Sequence, residues 1–161
     1  MRALSKHEIG HACYLLVTSL LSKAAPAYAG WHAPDLNEES GEFERVAQEH
    51  GLSREHVLAA AQGGELGPLD PQLLNSGTFD NYSGVPNMTL DYAHKMANEY
   101  GRDSHRIEAG FRAGSPMPAP IVLYGLPGKS GPHLMAGNTR TMVAHGMGIP
   151  VQALHINLGY S

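Results

Sequence analysis

The sequence predicts an α+β protein, a helical N-terminal region followed by a small α/β domain. Three observations carry this. Apolar residues recur at helical spacing, between recognisable caps, over most of the first two thirds of the chain. After residue 118 the apolar residues fall instead into short strand-length runs. Most of the 19 glycines and 11 prolines lie beyond residue 60, so the second half is cut into short elements by turns.

Residues 4–23 read as a helix, with Ser5 and Glu8 spaced as a capping box. Residues 31–41 are a polar connector. Residues 42–50 and 53–62 read as two helices, separated by Gly51, the second started by Ser53 as N-cap. Residues 63–88 are rich in turn formers, among them Gly63-Gly64, Asn75-Ser76-Gly77 and Ser83-Gly84. A helix follows over 89–100, capped by Thr89 and closed by Gly101, with a weaker helical piece over 103–111 and a loop over 114–118. Strands are expected at 121–124, 133–136 and 151–157, with a hairpin-like turn at 125–132 and a short helix at 139–146. There is no internal repeat.

Composition narrows the function classes. The chain has 161 residues, 42% of them hydrophobic and 16% charged, enough to build a core. A formal charge of −4 argues against a broad electrostatic grip on nucleic acid. The single cysteine, Cys13, excludes an intramolecular disulfide and fits a reducing, cytoplasmic setting. No apolar run approaches the roughly 20 residues of a spanning helix, so no membrane partner is expected. An alternative reading takes residues 1–29 as a secretory leader, with Arg2 and Lys6 before the apolar run and Ala27-Tyr28-Ala29 as cleavage site.

The order strand, turn, strand, Gly137-Asn138-Thr139-Arg140, helix, Ile149-Pro150-Val151, strand resembles the ParB/sulfiredoxin-like domain. The matching residues are Pro120-Ile121-Val122-Leu123, the run from His133 through Arg140, and Ile149-Pro150-Val151. The likeness covers about a quarter of the chain, and extends weakly back to Val85. It divides the chain into a helical region, 1–66, and a nucleotide-binding domain, 85–158. It implies that Gly137, Asn138, Thr139 and Arg140 hold nucleotide phosphates, with His133 near them. The local chemistry agrees: a helix N-terminus offers unpaired N–H groups and partial positive charge, a glycine admits the anion closely, and arginine supplies a charged fork. Two departures narrow the expectation. Asn138 stands where sulfiredoxins carry their reactive cysteine. Asn138 and Thr139 also stand where ParB proteins carry an acidic residue and a second arginine. Some proteins of the resembled fold are kinases, and the resemblance implies a phosphotransferase of that type, using ATP or another nucleotide with Mg²⁺. The acceptor is a hydroxyl, on a small molecule or on a hydroxymethylated base in DNA, as in phage-type DNA modification. Asp80, Asp91 and Glu99 are the candidate bases. The alternative function is a non-catalytic nucleotide- or DNA-binding module of partition or regulatory type.

Three further patterns compete. Gly125-Leu126-Pro127-Gly128-Lys129-Ser130 looks like a P-loop, but Gly125 stands too close to the Gly-Lys-Ser run, which leaves a hairpin with an exposed lysine. His7-Glu8-Ile9-Gly10-His11 matches the zinc-hydrolase pattern, which makes His7 and His11 alternative metal ligands. The third ligand of the extended motif is missing, since Val17 stands in its place, so the expectation is no metal there. Residues 43–62 fit a helix-turn-helix in which Arg54, His56 and Gln62 would contact DNA, against an ordinary helical hairpin favoured by Glu42, Glu44, Glu49 and Glu55.

Overall fold

The computed structural model describes residues 28–77 and 79–160. The expected helix 4–23, His7, His11 and most of the leader reading lie outside these residues. The described residues form an α+β protein of six helices and two sheets. Their order is β1 (Trp31–His32), α1 (Ser40–His50), α2 (Arg54–Gln62), β2 (Glu65–Pro68), α3 (Pro71–Asn75), α4 (Leu90–Glu99), α5 (Ser104–Arg112), β3 (Met117–Pro118), β4 (Ile121–Tyr124), β5 (His133–Ala136), α6 (Asn138–Gly146) and β6 (Gln152–Asn157).

Local chemistry explains most helix ends. The Ser53 hydroxyl accepts from the His56 N–H, and the Thr89 hydroxyl from the Tyr92 N–H, each satisfying a donor that the first turn leaves open. Gly51 takes the left-handed conformation (φ +64°), and the Leu52 N–H reaches back to the Ala47 carbonyl, so α1 stops there. Asp70 caps α3, whose first residue is Pro71, where a missing N–H costs nothing.

The main sheet has strand order β2-β6-β4-β5. β4 and β5 form an antiparallel hairpin, β4 and β6 run parallel with α6 as the crossover, and β2 pairs antiparallel with β6. β2 falls inside the stretch read as turns. Its Gly67 and Pro68 conceal it in the sequence, and an edge position tolerates both. A separate two-residue parallel ladder joins β1 to β3.

Helices cover both sheet faces. Ile121, Leu123, Met135, Leu154 and Ile156 face α1 and α2 and pack with Phe43, Val46, Val57 and Ala61. Val122, Leu134 and Ala153 face the other way, among Met142 and Val143 of α6, Ala93 of α4, Phe111 of α5 and Trp31. Burial on both faces is why β4 reads as an unbroken apolar run rather than an alternation. The 43–62 segment therefore shares a core with the strands that follow residue 120. No helix among the described residues is long and apolar enough to cross a membrane.

Candidate functional site

The glycine–arginine run lies at the turn from β5 into α6. Gly137 has φ +88°, and a Cβ built on it would lie 2.8 Å from the Pro120 Cα and 3.3 Å from Arg140 Nη2. Only glycine lets the chain turn here against Pro120 with the guanidinium folded back over it. No side chain caps the helix that follows. The first-turn N–H groups of Asn138, Thr139 and Arg140 thus point out at the positive end of a nine-residue helix. The Thr141 N–H and hydroxyl both donate to the Gly137 carbonyl at 2.9 Å, which pins the turn from behind.

A cavity of about 490 Å³ opens over this helix end. Residues 137–140 form its floor, Arg102 and Asp103 enter from the α4–α5 turn, Asn81 from the preceding loop, and Glu39, Glu42 and Arg45 from the start of α1. Among the described residues, Arg140 Nε is buried with no hydrogen-bond partner. Burial pulls the guanidinium pKa down, with the Glu39 charge acting against it. A buried charge-bearing donor left unsatisfied is costly, and an anion held against the same guanidinium offsets part of that cost. Arg45 is held by Glu42 (2.9 Å) and Glu49 (2.8 Å). Among the described residues neither Arg102 nor Arg140 makes an ion pair.

The residues singled out in the sequence fall into three places. Residues 137–140 come together, but the Asn138 side chain is engaged elsewhere: its amide donates to the Asn81 carbonyl (2.8 Å) and Ser83 hydroxyl (3.1 Å), and accepts the Ser83 N–H (3.2 Å). It latches the 81–83 loop to the helix start and offers the cavity its backbone N–H. His133 and Asp80 meet each other instead of the cavity. Asp80 Oδ2 lies 2.9 Å from Lys129 Nζ and 3.2 Å from His133 Nδ1, beside a smaller cavity of about 330 Å³. The ammonium of Lys129, and after it His133, hold the Asp80 carboxyl below its usual range. Burial lowers the His133 pKa, so the ring is neutral, and the carboxylate assigns its proton to Nδ1. Asp91 and Glu99 are exposed on α4, and neither lines the cavity.

Glu39, Arg102 and Asp103 line the cavity and carried no motif in the sequence. Asp103 is occupied as N-cap of α5, accepting the Arg106 N–H, and Glu42 is bound by Arg45. Glu39 stands at the N-cap position of α1 without a side-chain cap bond. It is the carboxylate at the cavity with no such engagement among the described residues.

His145, His155, Arg54 and His56 each have partners within the protein. Tyr82 and Asn75 bracket His145, and Tyr124 and the Gly67 carbonyl bracket His155. Arg54 pairs with Glu44 at 2.8 Å. His56 Nε2 lies 2.8 Å from the Leu158 carbonyl, with the Tyr160 ring at 4.9 Å, while Gln62 is exposed. No protein-family model, curated protein or solved structure matches this chain.

Proposed function

We propose that the chain is a nucleotide-dependent phosphotransferase of ParB/sulfiredoxin-like type, which moves a phosphoryl group from a nucleoside triphosphate to a hydroxyl acceptor. The observation that carries the reading is Arg140, without an ion pair among the described residues, at an uncapped helix N-terminus that lines a cavity large enough for a nucleotide's phosphates. The N–H groups of residues 138–140 and the Thr139 hydroxyl bind phosphate oxygens as neutral donors. Arg140 and Arg102 offset the charge that spreads over the phosphoryl oxygens during transfer. Mg²⁺ enters with the nucleotide, held largely by phosphate oxygens and water.

The acceptor oxygen forms the new P–O bond as the bond to the leaving nucleoside diphosphate breaks, and the acceptor proton passes to a carboxylate. Glu39 takes that role in place of Asp80, Asp91 and Glu99. Phosphoryl transfer is carried mostly by positioning and charge. Arg140 therefore contributes chiefly to binding and Glu39 to turnover.

Calorimetric titration with Mg-ATP and Mg-CTP tests the reading. Arg140→Ala weakens binding about ten- to hundredfold, the range for a charged hydrogen bond, and leaves the fold intact. Glu39→Gln keeps nucleotide affinity and slows phosphoryl transfer to a hydroxyl acceptor, read as nucleoside diphosphate formed, about a hundredfold or more. Unchanged nucleotide affinity in folded Arg140→Ala overturns the proposal. Binding without turnover on any hydroxyl acceptor reduces the chain to a non-catalytic nucleotide-binding module.

A further inference from the structure

A second polar cluster joins α4 to α5, and none of its three residues lines the cavity described above. His94 of α4 meets His105 and Glu108 of α5, and one ligand atom from each lies within 4.8 Å of the other two. His105 and Glu108 are three residues apart and share a helix face. His94 Nε2 lies 2.9 Å from Glu108 Oε2. Two ligands of one tetrahedral zinc stand roughly 3.3 Å apart, from metal–ligand bonds of about 2.0–2.1 Å.

We infer that His94, His105 and Glu108 form a binding site for a zinc-class divalent cation that staples α4 to α5. Two imidazoles and one carboxylate are a donor set for Zn²⁺, Co²⁺ or Ni²⁺ rather than for Mg²⁺ or Ca²⁺, which take oxygen ligands. A fourth position stays open to water.

The surroundings hold two of the three ligands, His94 and Glu108. His94 Nδ1 lies 2.7 Å from the hydroxyl of Ser104, a residue only 3% exposed, which aims Nε2 at the cluster. A hydroxyl both donates and accepts, so Ser104 suits the free ring and the ring whose Nε2 lone pair is given to a metal. Arg112 places two nitrogens on Glu108 Oε1, at 2.7 and 2.6 Å, which leaves Oε2 for the cluster. The Arg112 guanidinium, and then His94, keep the Glu108 carboxyl below its usual range, so it is an anion at neutral pH. The His94 and His105 rings stack at 3.9 Å with 19° between planes.

The staple also bears on the phosphate cavity, since the turn it closes carries Arg102. That consequence rests on the proposed function, whereas the metal site does not. Zinc uptake therefore tests the site without nucleotide.

The test uses the full chain, stripped with chelator, then titrated with Zn²⁺ by calorimetry and with Co²⁺ by visible absorption. One zinc binds per chain and raises the unfolding temperature. His105→Ala, at an exposed position that leaves the fold undisturbed, weakens uptake more than a hundredfold and abolishes the Co²⁺ spectrum. Ser104→Ala weakens uptake about ten- to hundredfold, as loss of a partner orienting a ligand does. A His7→Ala/His11→Ala double variant serves as the control for the N-terminal motif. The site stands only if His105→Ala loses the zinc while the double variant keeps it. No uptake by the wild-type chain, or uptake that survives His105→Ala, overturns it.

Discussion

The start of α6 and the α1–α2 hairpin look alike in sequence: each is a glycine turn into a helix, flanked by arginine, histidine and polar residues. In the structure they differ in hydrogen-bond accounting. Around α1 and α2, Arg45 is held by two glutamates, Arg54 by Glu44, and His56 by the Leu158 carbonyl. Ser53 caps its own helix. At α6 the helix has no side-chain cap, and among the described residues Arg140 Nε has no hydrogen-bond partner. A polar group already bonded inside the protein has little left to give a ligand, and breaking its bond to bind one costs most of what binding returns. The comparison is the ground on which anion binding is proposed at the α6 turn rather than at the hairpin.

The strongest way to break that assignment is through the hairpin's core. Phe43 is fully buried against the sheet, and Phe43→Ala is expected to cost about 3–5 kcal/mol. The chain's one tryptophan, Trp31, packs on the opposite sheet face, so its fluorescence reports the other layer. In urea, the fluorescence and circular dichroism transitions of Phe43→Ala should shift together. A fluorescence transition that stays in place would make the hairpin an independent unit.

Gly137→Ala gives a smaller effect at the other region. The left-handed backbone alone costs about 1–2 kcal/mol for a residue with a Cβ, and the approach to Pro120 adds to it. Nucleotide affinity should fall with it, because the same turn aims the N–H groups. A variant as stable as the wild type, with affinity unchanged, would show that the turn's geometry does not serve the cavity.

Arg54→Ala should do least. Both partners of its ion pair are about half exposed, so stability should change by less than about 1 kcal/mol. The salt dependence of any duplex or hydroxymethylated DNA binding should be unchanged. A fall of about one in the salt slope would make α2 a phosphate-contacting helix and sharpen the acceptor toward DNA.

Legibility in the sequence followed the range of the interaction. Ser53, Thr89 and Gly51 mark their helices through bonds to residues within about one turn, and their spacing is visible in a string of letters. Gly137 was legible for the same reason, as a turn residue between an apolar run and a helix. β2 was not, because what makes Glu65–Pro68 a strand is β6, far along the chain. Asp91 and Glu99 looked as good as any other carboxylate, and nothing local said that α4 turns them to solvent.

By itself, then, the sequence determined the mixed α+β class, most element positions and the glycine–arginine turn at 137–140. Each follows from periodicity or from a conformational demand met within a few residues. The tertiary structure alone decided that Glu39 and Arg102 border the same cavity as Arg140, and that Asp80 is tied to His133 and Lys129. It also decided that His94 meets His105 and Glu108. The physical reason is chain closure. Those side chains become neighbours only when helices and strands distant in sequence bury their apolar faces together, and residue spacing does not encode which distant faces meet.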